Sequence, residues 1–437
     1  MDSHFKDRLL KPIIGCSLGT FLEFLDFALY ASLAPVFALK FFPKEYHEIS
    51  VIYAWGIFAV SFIARPFSGL ILGPIGDRIG IKKILLFSLA IMGLATTAIG
   101  ILPTYDQIGL LAPLLLILLR IIQGLAVSIE YNSLGVYLLQ QNGIAKKFGF
   151  YSSFTSVGVI AGLISGSLIV GLFLNKSSLI DIPDWQWRMP FISCGLVVSV
   201  LGIFLRQQMQ DPHKSSCSYS ERGVLKSLFC NQIKQLFMAI FVTGFISISA
   251  YIAIGYMATY LQLYRNFLLK ESILVCCACG IAMLISVPIG GWISDKLGRT
   301  RFMAVSSLSM SIISILSMGL IAYGQSKILI LGLLLLSINT GISAGGLPAF
   351  VTELFHSDHR YTGSTIAYNA GVAWIGGTAP MIISLLLMKT NNPMIPGIYL
   401  SFFSLLGFIA AMALNQRKQC NDKLRVYPIN NKEVKHV

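Results

Sequence analysis

Charged side chains are scarce in this chain. Asp, Glu, Lys and Arg make up 12% of its 437 residues, about half the share of an ordinary soluble domain. Hydrophobic residues supply 55% and the mean hydropathy is +0.74, which excludes a soluble globular fold. The apolar–polar alternation of a barrel strand is also missing. The apolar runs are continuous, so helices are the spanning element. No GxxxxGK loop followed by Ser or Thr is present, nor any metal or nucleophile constellation, which speaks against an ATP-driven pump or a membrane enzyme; no cofactor or metal is implied. None of the eight cysteines forms a two-Cys spacing of the metal-binding type or stands in a loop assigned to the outside, so no disulfide framework is expected. Cys276, Cys277 and Cys279 lie within one apolar run and read as small packing residues. The first apolar run carries Glu23 and Asp26 and lacks a small-residue cleavage site, so it is expected to be a retained helix rather than a signal peptide.

What is there is a series of twelve apolar segments, at about 13–39, 50–73, 83–102, 112–139, 149–174, 189–208, 236–261, 272–294, 302–324, 328–354, 364–388 and 396–415. Each is near the ~20 residues that a helix needs to cross a hydrocarbon core roughly 30 Å thick. The expected fold is an all-α polytopic membrane protein of two six-helix bundles. Residues 1–205 form the first bundle, 206–235 a polar linker, 236–415 the second bundle and 416–437 a short polar tail.

A formal charge of +14 could suggest a nucleic-acid partner, but the placement of the bases decides otherwise. With these spans, 23 of the 33 Lys and Arg fall in the tails and loops of one side and seven on the other, while Arg65, Arg120 and Arg188 lie within or at the edge of a span. That is the positive-inside bias. It places both termini in the cytoplasm of a bacterial-type inner membrane, with lipid as the surrounding partner and no nucleic acid.

The charged stretch GPIGDRIGIKK, from Gly73 to Lys83, stands between two apolar runs and has an echo, GGWISDKLGRTR, from Gly290 to Arg301. Asp77 and Asp295 are 218 positions apart, close to half the chain, as a duplicated half would give. Gly73, Asp77, Arg78, Gly80, Lys82 and Lys83 in the first copy, and Asp295, Lys296, Gly298 and Arg299 in the second, are candidate latches whose carboxylates and bases can pair with each other and with helix ends. Glu353, at the end of the tenth segment, is expected to join the latch with Arg360.

Ionisable side chains inside the spans are functional candidates, since a charge at a helix centre costs roughly 2.5–3.5 kcal/mol on insertion scales. Glu23, Asp26 and Tyr30 share one stripe of the first helix at i, i+3 and i+7. In the fourth helix Gln123 and Glu130 share a face, while Arg120 stands about 60° from Gln123 at 100° per residue. Arg120 can hold an anionic substrate group or neutralise Asp26 or Glu130. All six histidines fall in tails or loops, so a carboxylate is the expected proton carrier, Asp26 first and Glu130 second. Burial and exposure to water or an arginine change how tightly a carboxyl holds its proton. Tyr30, Gln123, Tyr131, Tyr256, Tyr260, Tyr368 and Asn369 are the candidate substrate-facing groups, although tyrosines at 256 and 260 would also suit the bilayer interface. Gly158, Gly162 and Gly166 form a small-residue ridge that reads as close helix contact.

Twelve spans with a related charged loop after the second and eighth resemble the major facilitator superfamily, although Ile81 and Gly76 depart from its loop pattern. The resemblance tightens to its metabolite:proton symporters, which include proline and betaine transporters. It rests on EFLDFALYASLAPVFALKFFP, with Phe24 where that family has Trp, and on RIIQGLAVSIEYNS, with Ser128 and Ile129 where glycines are usual. The block LPAFVTELFHSDHRYTGSTIAYNAGVAWIGGTAP is the most specific match. It implies a substrate near the bilayer midplane between rocking halves and a coupling role for Arg120. It further implies proton-coupled import of a small polar metabolite, a zwitterion such as proline or betaine or a small carboxylate, by a monomer. Family members that respond to osmolarity carry a long C-terminal coiled coil; the tail here is too short for one, so no such osmosensing is expected. The alternative, a non-transporting membrane sensor or scaffold of the same fold, would need an output domain that the linker and tail do not offer.

Overall fold

The computed structural model describes residues 3–43, 47–79, 81–126, 131, 138, 147–174, 182–207, 228–230, 232–355 and 360–425. Among them there are helices and no strands. We number twelve rods: α1 (Ser3–Lys40), α2 (His47–Ile79), α3 (Ile81–Ile101), α4 (Leu111–Ala126), α5 (Phe148–Phe173), α6 (Asp184–Gln207), α7 (Ile233–Arg265), α8 (Leu269–Leu297), α9 (Arg299–Tyr323), α10 (Ser326–Leu354), α11 (Thr362–Thr390) and α12 (Ile395–Arg425). Eight are long and apolar enough to cross a membrane, and α2, α3 and α4 carry shorter apolar stretches at Ile49–Arg65, Leu89–Ile101 and Leu111–Ala126. Inside lipid a helix alone satisfies all of its own backbone groups, which is why continuous apolar runs fold this way.

The helices pair by one scheme used twice. In the first half α1 packs on α5, α2 on α4 and α3 on α6; six helices later α7 packs on α11, α8 on α10 and α9 on α12. The close approach is made by missing side chains. A methyl on Gly158, Gly162 or Gly166 would fall 2.3–2.4 Å from the carbonyl oxygens of Ser17, Phe21 and Leu25, so the ridge on α5 meets bare backbone of α1. Without a hydrophobic difference between helix and lipid, such small-residue contact is a principal source of association. Two arginines repeat the theme at the helix ends. Arg188 donates to the carbonyls of Gly100 and Leu102 at the end of α3, and Arg265 to those of Ala322 and Gly324 at the end of α9. Each satisfies acceptors that a helix terminus leaves open.

The halves meet along α5 with α8 and α2 with α11. The contact runs from Gly171 beside Ile273, through Gly280 beside Ile164, to Gly149 against Gly291. α1 and α7 lie centrally, with 94% and 83% of their most apolar windows buried, whereas α12 is peripheral at 44%. Large apolar side chains such as Leu94, Leu172 and Tyr323 are exposed, as lipid-facing positions should be. Two π-helical turns, Tyr251–Tyr256 in α7 and Gly371–Gly376 in α11, widen the helices beside this interface.

The charged stretches expected as loops are mostly helix. α2 runs to Ile79 and α3 starts at Ile81, so Gly73, Asp77 and Arg78 extend one helix while Lys82 and Lys83 open the next; Gly80 lies outside the described residues. The second copy has the same form. α8 ends at Leu297 and α9 begins at Arg299, joined by Gly298 alone at φ 83° and ψ 142°, a region open to glycine and closed to residues with a Cβ. Most of the 206–235 linker also lies outside the described residues, and the helix of α12 continues to Arg425, ten residues beyond the expected span.

Candidate functional site

Asp26 and Arg120 meet in the interior of the first half. Both are fully buried, and Arg120 Nη1 lies 3.5 Å from Asp26 Oδ2. Two polar side chains complete the cluster. Gln123 donates to Asp26 Oδ1 at 3.0 Å and to the Thr96 hydroxyl at 2.9 Å, and its own oxygen accepts Arg120 Nη1 at 2.9 Å. The long guanidinium thus spans the angle that separates positions 120 and 123. Its carbon lies 3.8 Å over the Tyr30 ring, and the Tyr30 hydroxyl is tied to the Ala54 carbonyl at 2.9 Å.

Thr96 carries a choice. Its hydroxyl is 2.5 Å from Asp26 Oδ1 and 2.8 Å from the Met92 carbonyl, and a hydroxyl has one proton to give. With Asp26 ionised, Thr96 donates to the carboxylate. With Asp26 protonated, the new O–H donates to Thr96, which turns its proton to Met92. Thr96 thus keeps a partner in either charge state of Asp26, while Arg120 Nε and Nη2 have no hydrogen-bond partner among the described residues.

A second charge pair stands one turn along α1. Arg65 on α2 reaches Glu23 at 3.1 Å, with both side chains buried. Its guanidinium carbon is 4.4 Å over the rings of Phe27 and Phe62 and 5.5 Å over Phe24. Sequence reasoning noted Arg65 as a base within a span and gave it no role; Glu23, a carboxylate on the same stripe as Asp26 with no base assigned to it, is the signal that could have found it. Thr96 had no such signal, being one hydroxyl in an apolar helix.

The tyrosines divide. Tyr131 and Tyr368 stack face to face at 3.7 Å and 8°, one from each half; the Tyr131 hydroxyl bonds Ser156 on α5, which donates to the Ala344 carbonyl on α10. Tyr256 accepts from Ser384 at 3.2 Å and its ring lies 5.5 Å from Trp55 of the first half. Tyr260 donates to the Pro393 carbonyl and stacks on Tyr264, at the end of the bundle that carries Lys40. Asn369 donates to Thr365 one turn back. Glu130 lies outside the described residues.

At the other end Asp295 gathers partners from three directions. Its two oxygens accept the backbone N–H groups of Gly149 and Phe150, and Arg299 pairs with it at 2.8 Å. Arg299 also reaches Glu353 at 3.3 Å. The partner of Glu353 is therefore Arg299, where Arg360 was expected, because the single-residue joint at Gly298 turns Arg299 back toward α10. Lys296 lies apart from this group, its ammonium 3.7 Å over the Trp292 ring. Nothing is described of the side chains of Asp77, Arg78, Lys82 and Lys83.

Comparison with known proteins agrees with this architecture. The family model described as Major Facilitator Superfamily matches residues 16–381. The proline/betaine transporter of Escherichia coli (strain K12) is 29% identical over 426 residues, covering 94% of this chain and 84% of the relative. The glycine betaine/proline/ectoine/pipecolic acid transporter OusA of Dickeya dadantii (strain 3937) aligns to the same extent at 29% identity. Among solved structures a D-xylose-proton symporter superposes with a TM-score of 0.68 at 16% identity, covering 92% of this chain and 96% of that one, a likeness of fold. Twelve helices paired by one scheme in each half, and a family match over most of the length, make this chain a member of the Major Facilitator Superfamily, a secondary transporter of small solutes and not an enzyme.

Proposed function

We propose that this transporter imports a small polar metabolite together with protons, by alternating access, and that the substrate is a zwitterion such as proline or betaine or a small carboxylate. The observation that carries the reading is the Asp26 cluster. A carboxyl buried beside Arg120, with Thr96 and Gln123 able to serve it ionised or protonated, is what a proton carrier needs between two exposures to water. Asp26 is the first carrier and Glu130 the second, and Arg120 returns Asp26 to its charged form. Tyr30, Gln123, Tyr131, Tyr256, Tyr368 and Asn369 are the substrate-facing groups, a reading supported by the stacking of Tyr131 on Tyr368 across the halves and by Trp55 beside Tyr256, and the bonded hydroxyl of Tyr260 favours a supporting role. Printed names of the relatives, proline/betaine transporters, support the substrate class.

The protein works as a monomer in the bacterial inner membrane with both termini in the cytoplasm, an orientation supported by the positive-inside bias. The 206–235 linker joins its two bundles, and the cluster of Asp295, Arg299 and Glu353 closes the cytoplasmic side. Uptake of a panel of labelled metabolites into proteoliposomes, with and without an inward proton gradient, tests this. One class should accumulate when the gradient is applied. Accumulation indifferent to the gradient overturns proton coupling, and failure of every compound transfers the assignment to a non-transporting sensor.

A further inference from the structure

The charged side chains buried within the described spans, Glu23, Asp26, Arg65 and Arg120, all belong to the first half. In the second half Asp, Glu, Lys and Arg stand only at the helix ends, as Lys234, Arg265, Glu271, Asp295 and Lys389 do. A proton taken up at Asp26 therefore changes the charge of one half, and the other needs an uncharged contact to register it. One ring stands at the head of such a contact. Phe27, fully buried and next to Asp26 in sequence, lies 4.4 Å from the Arg65 guanidinium carbon and 5.8 Å from that of Arg120, so both cations are within reach of its face. The Phe62 ring follows, 4.7 Å from Phe27 and 4.4 Å from Arg65. From Phe62 the contacts cross to the second half, where the Tyr251 ring lies at 5.2 Å and a methyl on Gly377 would fall 2.5 Å from the Phe62 ring. Tyr251 opens the π turn of α7, and Gly377 donates to Val372 across that of α11. Such turns gather at functional sites.

We propose that Phe27 is the positioning residue that couples the proton on Asp26 to the contact between the halves, through Arg65 and Phe62 to Tyr251 and Gly377. This role rests on the proton-coupled reading above and deepens it. With Asp26 ionised, Arg120 is held by the carboxylate and by Gln123, over the Tyr30 ring and at the outer limit of the Phe27 face. With Asp26 protonated, Arg120 keeps its charge and loses its counter-charge, and a desolvated cation then gains most from the aromatic faces beside it. Drawn onto Phe27, it meets the ring that Arg65 already covers, and like charges repel more strongly away from water. Glu23 holds Arg65, so the displacement passes to Phe62, whose seat against Tyr251 and Gly377 then differs between the two protonation states. A ring that gains a cation in one state and not in the other supplies the difference that coupling requires. The groups facing this route are few. Tyr30 of α1 and Cys194 of α6 stand within electrostatic reach of the Asp26–Arg120 pair, with Thr96 of α3 and Gln123 as uncharged partners. Tyr251 of α7 and Tyr368 of α11 are within reach of Glu23 and Arg65, and α5 carries no charged side chain.

The test uses purified full-length protein in proteoliposomes, with labelled L-proline and glycine betaine as probes. The wild type is compared with Phe27→Leu and with a ring-fluorinated phenylalanine at position 27, which keeps the shape and withdraws charge from the ring face. In both variants uptake driven by an inward proton gradient should fall roughly five- to hundredfold, the range of a coupling between two sites, while counterflow of preloaded probe stays close to that of the wild type. A second measurement needs no substrate. Spin labels on cysteines introduced by Leu110→Cys, before α4, and Tyr323→Cys, at the end of α9, both exposed positions, report the separation of the halves in a background without the native cysteines. The distances in the wild type should change with pH and those of Asp26→Asn should not. Both Phe27 variants should lose most of that change, the fluorinated one at an unaltered thermal midpoint. A full pH response and full driven uptake in the fluorinated protein would overturn the role of Phe27 and leave Asp26 as the carrier. Equal loss of counterflow and driven uptake in both variants would reduce the ring to packing and overturn the role as well. A wild type whose uptake ignores the gradient and whose distances ignore pH removes proton coupling, and this role with it.

Discussion

The carboxylate of Asp295 accepts the backbone N–H of Gly149 at 2.7 Å, although 146 positions separate them in sequence. One half thereby supplies the cap for a helix of the other. The first N–H groups of a helix have no partner within it, and their summed dipole favours a negative charge, so Asp295 closes the amino end of α5.

Removing that cap should loosen this end of the bundle. A lost N-terminal cap costs ~0.5–2 kcal/mol, and Asp295→Ala also takes one of its two carboxylate partners from Arg299, leaving Glu353. In a background without the native cysteines, a thiol introduced by Ser153→Cys, at a position buried against Gly291, should react with a membrane-impermeant reagent several-fold faster when Asp295 is replaced. Equal labelling rates would remove Asp295 from the closure.

Asp26→Asn should abolish gradient-driven uptake while exchange of preloaded substrate stays measurable, because an amide cannot carry the proton yet fills the same space. Counterflow and driven uptake measured on the same vesicles decide it. Driven uptake that survives in the variant would shift the carrier role to another carboxylate.

Thr96 gives a sharper comparison. Thr96→Ser keeps the hydroxyl that serves both states of Asp26, whereas Thr96→Val keeps the shape and removes it. Driven uptake should persist with serine and fall at least tenfold with valine, the consequence of about 1–3 kcal/mol for an unmet buried polar group. Similar rates in the two variants would mean that the hydroxyl takes no part.

Gly162→Val should destabilise the fold. Its first carbon would meet the Phe21 carbonyl oxygen at 2.4 Å, and overpacking of this kind costs ~1–3 kcal/mol or more. The thermal midpoint in detergent should drop by several degrees. Lys40→Met serves as the contrast: Lys40 pairs with Asp184 at 2.8 Å, but Asp184 is 46% exposed, and exposed pairs contribute ~0–1 kcal/mol, so its midpoint should barely move.

The spans and the glycine ridge of α5 were legible because each rests on spacing within one segment, and the duplicated charged stretches because the same residue order recurs 218 positions on. Asp26, Arg120 and Gln123 were legible as polar groups in apolar runs. Their meeting with Thr96 was not, since it depends on how α1, α3 and α4 are rotated about their axes. Arg65 was visible and Glu23 was visible, yet nothing in either segment states that α2 turns the one toward the other. The partner of Asp295 was the hardest to foresee: a backbone amide carries no residue identity, so no side chain at 149 or 150 announces it.

Gly298 ties two long rods end to end. With one residue between α8 and α9, the two ends cannot draw apart, so Asp295 on one side of the joint and Arg299 on the other keep their pairing wherever this end of the bundle goes, while the freedom of glycine about its backbone leaves the angle between the rods to their packing.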